Sequence, residues 1–199
     1  QVTDERMEAM DCPLNQAMQS TLGVLMKVQP RGLTAATPCV SWDVRALVNH
    51  FIGTAHWWAA AVTREPAAAS NGEPADVDYA AGDFVGAYEE GVRIAVTAFA
   101  VEGVLDSMVR LPFGEFPGTA VRDMAAMDQF AHGWDLARAI GYPADLDPGL
   151  ADRLLAHARV AITDAFRGPD GQAPFGPAAP APAGAGPADQ LAAFLGRSV

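Results

Sequence analysis

Apolar residues recur every three or four positions through most of this chain, in long segments cut by proline and glycine. A pattern of that period, with no convincing two-residue alternation between turn signals, restricts the chain to helices. Residues 4–28 carry Met7, Met10, Leu14, Met18, Leu22 and Leu25 on one helical face, ending before Pro30. After the loop "QPRGLTAATPCV", Ser41 is a suitable N-cap for a second helix that runs to the breaker at Pro66. A third helix, about residues 79–100, places Phe84, Tyr88, Val92, Ala95 and Phe99 on one side. "LPFGEFPG" reads as a break, and Thr119 can cap a fourth helix that stops at Gly141, just ahead of Pro143. Asp147 and Pro148 suit the first positions of a fifth helix reaching about residue 166.

The expected fold class is therefore all-α. It is an antiparallel four-helix bundle with an extra C-terminal helix, spanning 1–167, followed by a Pro/Ala/Gly-rich tail over 168–199. The tail should wrap or dangle without regular structure until "LAAFLGR", which is apolar enough to dock as a last turn or two of helix.

Charge narrows the partners. Of 199 residues, 13 are Lys or Arg and 24 Asp or Glu, a formal net charge of -11, so binding to a phosphate backbone is disfavoured. No run approaches the roughly 18 apolar residues of a membrane span. The stretch "QVTDERMEAMD" lacks the basic-then-apolar order of a signal peptide. The expectation is a soluble cytoplasmic protein, monomer or homodimer, with no nucleic-acid or membrane partner. Cys12 and Cys39 form no CxxC pair, and reduced thiols are the default.

The fourth helix carries the chemistry. On a wheel of about 100° per residue, Val121, Met124, Ala125, Asp128, Ala131, His132, Asp135, Leu136 and Ala139 share one stripe. A carboxylate buried on such a stripe needs a partner, a shifted pKa or a metal. Asp128 and His132 stand one turn apart, a spacing that lets both grip one ion but equally suits a buried hydrogen bond in which the carboxylate orients the imidazole. A third ligand must come from another helix. His50 shares its face of the second helix with Leu47, Gly53, Thr54, Trp57 and Ala61 and points inward, whereas His56 lies on the more solvent-facing side. His157 reads as structural.

"TPCVSWDVRALVNH" together with "DQFAHGWDLARAIGYP" resembles the metal-binding domain of the mycothiol-dependent maleylpyruvate isomerases, a branch of the DinB-like four-helix bundles. The closing "ADQLAAFLGR" is similar to the end of a smaller sibling actinobacterial group. The resemblance implies a metal held by His50, Asp128 and His132, with mycothiol or a similar thiol as cosubstrate. The isomerases carry Glu where this chain has Asp128, and a larger folded C-terminal domain where it has the tail.

Two imidazoles and one carboxylate leave coordination positions open, as catalytic rather than structural sites do. Zinc fits best, with iron and nickel compatible. The resulting expectation is a thiol S-transferase or isomerase that presents an activated thiolate to an electrophile. The rival readings are a metal-dependent hydrolase and a non-catalytic metal- or ligand-binding bundle. Arg122 is read either as a contact to a carboxylate of the thiol or substrate, through its guanidinium, or as a surface charge; Trp57 is read either as core or, through the face it shares with His50, as a contact to the thiol. Asp135 is read either as a partner that orients a ligand His or as a pair with Arg138. Cys39 is read either as approaching the metal or as a small buried hydrophobe.

Overall fold

The structure, a computed structural model, describes residues 12–63, 76–169 and 172–199. Met7, Met10 and Pro66 lie outside the described residues. The described residues are mostly helical, with one small sheet.

Helix α1 spans Pro13–Leu25, with Pro13 in the first turn, where its missing N–H costs nothing. It ends short of 28 because Lys27 and Val28 turn back tightly onto the carbonyls of Val24 and Leu25. Helix α2 spans Val44–Thr63. Its cap is Asp43 rather than Ser41: the Asp43 carboxylate accepts the Ala46 N–H at 2.9 Å, the reach an N-cap side chain needs. Helix α3, Phe84–Phe99, begins later than 79 because Asp83 caps it through Gly86 N–H and Tyr79–Ala81 is a separate 3-10 turn. Phe84, Tyr88, Val92, Ala95 and Phe99 are all buried, as their spacing requires.

The break expected at "LPFGEFPG" is a hairpin. Strand β1, Met108–Leu111, pairs antiparallel with β2, Gly114–Pro117, from Met108 opposite Pro117 to Leu111 opposite Gly114. The expectation of no strand is corrected. Val109 and Leu111 are buried and Phe116 is half-buried against the core, so the alternation is too short to stand out among the prolines and glycines.

Helix α4 spans Gly118–Ile140 and ends on Gly141 at φ 69, the left-handed stop read from the sequence. Thr119 does not cap it. The loop before β1 does so instead, with Gly118 N–H donating to Ser107 O at 2.8 Å and Thr119 N–H to Leu105 O at 3.2 Å. Helix α5, Pro148–Ala161, is capped by Asp147, which accepts Leu150 N–H at 3.0 Å; a separate 3-10 turn, Asp164–Phe166, covers the residues expected to continue it. The Pro/Ala/Gly-rich stretch then crosses the surface with an isolated bridge between Arg167 and Phe175. Helix α6, Pro187–Phe194, starts within that stretch and buries Ala188, Leu191, Ala192 and Ala193, with Leu195 just beyond it.

Packing makes α4 the centre. It meets α1 most extensively and also α2, α5, α6 and the hairpin, while α3 lies against α2 and α1. Its middle is accordingly buried beyond one stripe, taking in Ala126, Gln129, Phe130, Trp134 and Ala137. Each large apolar side chain withdrawn from water there, such as Phe130, contributes about 1.5–3 kcal/mol. No helix among the described residues is long and apolar enough to cross a membrane.

The α1–α4 approach depends on Gly133. A Cβ at that position would stand 2.2 Å from the Thr21 hydroxyl oxygen and 3.2 Å from the Thr21 Cα, and the same hydroxyl donates to Gln129 O at 2.8 Å. Gly133→Ala should therefore destabilise the fold by about 1–3 kcal/mol through overpacking, lowering the thermal midpoint by about 5 °C. A melting curve superimposable on that of the wild type would contradict this packing.

Candidate metal centre

The second helix and the central helix meet at a knot of polar side chains. Helix α2 supplies His50, and α4 supplies Asp128, His132 and Asp135 from successive turns. One ligand atom from each of His50, Asp128 and His132 lies within 4.8 Å of the others. The 3.4 Å between His132 Nε2 and Asp128 Oδ1 is close to the separation of two ligands on one tetrahedral ion with bonds of about 2.1 Å. The donor set thus fits a divalent cation.

The surroundings decide how each donor is presented. Asp128 Oδ2 accepts the Trp58 indole N–H at 3.0 Å and a Gln129 amide N–H at 3.3 Å, leaving Oδ1 toward His132. His132 Nδ1 faces Asp135 Oδ2 at 3.1 Å, so the ring is held from behind while Nε2 faces Asp128. Asp135 is fully buried and takes a fork from Arg197, Nε to Oδ1 at 3.2 Å and Nη2 to Oδ2 at 2.9 Å. The Cys39 thiol donates to the same Oδ2 at 3.2 Å. Trp42 lies over His50 with ring centroids 4.3 Å apart, and the His50 and His132 rings meet edge to face at 4.8 Å. The "TPCVSW" loop is braced by the Thr37 hydroxyl, which accepts Cys39 N–H at 3.1 Å and lies 2.8 Å from Trp42 O.

Electrostatics separate the two imidazoles. Burial first, and then the neighbouring His132, push His50 down to about 4, so it is neutral near pH 7 and offers a lone pair. Burial opposes charge on His132 too, but hydrogen bonds to Asp128, Asp135 and Cys39 raise it well above the ordinary imidazole value. Burial likewise works against the Asp128 carboxylate, and His132, His50 and Trp58 more than offset it, holding the group well below the usual range. Without a metal, protonated His132 supplies the positive charge that buried Asp128 needs; a divalent ion would take over that role and release the proton, because a ligand imidazole must be neutral.

The expected residues fall out unevenly. His50, Asp128 and His132 come together, and Asp135 orients His132 while pairing with Arg197 rather than Arg138, whose guanidinium sits 5.4 Å over the Trp134 ring. Arg122 is forked onto Asp123 at 2.9 and 3.1 Å, and Asp123 in turn lies 3.9 Å from His157. Trp57 is buried against Trp58, its indole N–H without a partner among the described residues. His56 stacks on Tyr79. Sequence reasoning missed Trp58 as the donor to Asp128, although eight residues after His50 puts it near the same stripe, and Trp42 as the ring over His50. It also missed Arg197, which closes the quoted "ADQLAAFLGR" stretch but which nothing local pairs with Asp135.

A helical core around such a cluster is the architecture of a DinB-like family. Residues 14–137 match the mycothiol maleylpyruvate isomerase N-terminal domain, and the chain belongs to that family. It is also 36% identical over 187 residues to an uncharacterized protein of Mycobacterium tuberculosis, Rv0738 in strain H37Rv, covering 92% of this chain and 94% of the relative. The counterpart in strain CDC 1551, MT0763, matches at the same identity and coverage. No solved structure matches the chain.

Proposed function

We propose that this protein is a metal- and thiol-dependent enzyme of the S-transferase or isomerase type, built on a DinB-like antiparallel four-helix bundle, with zinc on His50, Asp128 and His132 and a mycothiol-type thiol as cosubstrate. The single observation that carries the reading is the convergence of those three donors while the rear nitrogen of His132 is already engaged by Asp135. A divalent ion held there supplies Lewis acidity that lowers the pKa of a thiol near it. Asp128 and the two imidazoles would hold the ion; Asp135 holds the His132 ring, Trp58 donates to Asp128, and Trp42 packs on His50. The name of the matching family is what favours a thiol over water as the activated group. Of the two side chains expected to bind that thiol, Trp57 has an unsatisfied buried donor to offer, whereas Arg122 would first have to leave Asp123.

The test is spectroscopic. Cobalt-substituted protein should gain a sulfur-to-metal charge-transfer band when mycothiol is added, and the thiol's apparent pKa should fall well below the free value of about 8.5. Metal-dependent turnover of an ester or amide with no response to millimolar thiol would favour a hydrolase instead. Neither signal would leave a binding protein.

A further inference from the structure

Helix α6 ends in a turn that sends the chain back into the molecule. Gly196 takes φ +94, its N–H donating to Ala193 O at 3.0 Å, and the next N–H, of Arg197, reaches Ala192 O at 3.0 Å. This pair of bonds is the Schellman stop, which needs a residue free to adopt a left-handed backbone. A Cβ at Gly196 would also stand 2.9–3.1 Å from the backbone of Gly176, so the reversal is fixed by close packing as well. The turn delivers Arg197 to Asp135, where it forms the two-bond fork already described and donates from Nη1 to Leu195 O at 3.2 Å.

Asp135 Oδ2 thus receives three donors: Arg197 Nη2, the Cys39 thiol and His132 Nδ1. Cys39, His132 and Asp135 are themselves a trio whose ligand atoms lie within 4.8 Å of one another. The guanidinium occupies the place a cation would take against Asp135, which leaves the opposite edge of the His132 ring, toward Asp128, for a metal. Without Arg197, a fully buried carboxylate would have to take up a proton or turn away, and either change weakens its hold on Nδ1–H.

We infer that Arg197 is a positioning residue of the metal centre: acting through Asp135, the C-terminal turn of the chain sets the orientation of the His132 ring and with it the affinity for the metal. The inference rests on the metal reading proposed above. It assigns the docked C-terminal helix a task beyond covering apolar surface, and it makes the site depend on residues that lie outside the 14–137 match.

The experiment compares full-length wild type with Arg197→Ala, Arg197→Lys, Asp135→Asn and, as a destabilised control, Leu154→Ala in the core of α5. Zinc dissociation constants are read by competition with a chromogenic chelator at a temperature where circular dichroism shows every variant folded. Arg197→Ala and Asp135→Asn should bind zinc about 10–100-fold more weakly at unchanged stoichiometry. Arg197→Lys, which keeps the charge but loses the fork, should fall between. Leu154→Ala should melt lower yet bind within twofold of wild type. A wild-type constant in Arg197→Ala, or an equal loss in Leu154→Ala, overturns the inference. A second readout needs no metal: the His132 Nδ1 proton should be protected from exchange in metal-free wild type and lost in Arg197→Ala. If wild type binds no zinc, the metal reading fails, and this proton still decides whether Arg197 positions the ring.

Discussion

Replacing His132 with alanine should yield folded protein that retains almost no metal after dialysis, whereas wild type should retain one ion per chain. His132 shares the site with His50 and Asp128 within 4.8 Å, and each ligand of a zinc site of this kind is worth about 3 kcal/mol, roughly a hundredfold in affinity. His50→Ala and Asp128→Ala should show the same loss. Asp128→Ala also strips the Trp58 indole of its acceptor and should melt lower than the other two. His56→Ala is the control, because His56 stacks on Tyr79 away from the cluster and its removal should leave the metal content at the wild-type level. Elemental analysis of protein purified without a tag or chelator gives the answer. Full occupancy in folded His132→Ala protein would remove the site.

How much of this was legible depended on whether the information was local. The i, i+4 pair Asp128 and His132 and the inward face of His50 are properties of single helices, so a wheel suffices to single them out, and the structure brings those three side chains together. The helix stop at Gly141 and the cap at Asp147 are local in the same sense. The hairpin was hidden because its four-residue strands bury only Val109 and Leu111 and its turn is punctuated like a break. The start of α4 was misread for a different reason: its first donors are met by carbonyls of the preceding loop, an arrangement that leaves no capping residue to find. Arg197 belongs to the third kind. Its fork to Asp135 spans 62 positions, and nothing near either residue announces the other, so Arg138, three residues away on the same helix, was the natural but incorrect partner. The resemblance singled out the proposed ligands by motif, and Asp135, Trp42 and Arg197 lie in the same quoted stretches; what no stretch carries is which of these side chains meet across the fold.

The second large effect is expected at Gln129, which carries no charge and stands beside Asp128 in the "DQFAHGWDLARAIGYP" stretch without being singled out there. Its side chain is fully buried and fully used: Oε1 accepts the Tyr88 hydroxyl at 2.8 Å, and Nε2 donates to Thr54 Oγ1 at 2.9 Å and Phe51 O at 3.1 Å, with Asp128 Oδ2 at 3.3 Å. One amide therefore ties α4 to both α2 and α3 and touches a ligand carboxylate. Gln129→Leu nearly preserves the volume but takes the acceptor from the Tyr88 hydroxyl, which burial has already cut off from water, while the Phe51 carbonyl keeps the Thr54 hydroxyl at 3.2 Å. A stranded group costs about 1–3 kcal/mol, so the fold should lose about 2 kcal/mol, read as a lower midpoint in urea at unchanged slope. Adding Tyr88→Phe removes the stranded hydroxyl and should recover about 1 kcal/mol, a coupling that a simple volume effect would not produce. If the double variant is no more stable than Gln129→Leu alone, the Tyr88–Gln129 bond carries no weight and the loss must be assigned to packing around Thr54 and Phe51. The metal reports separately. Asp128 keeps its Trp58 donor in Gln129→Leu, so zinc content should stay near one per chain in whatever fraction remains folded, which separates the structural amide from the ligands beside it.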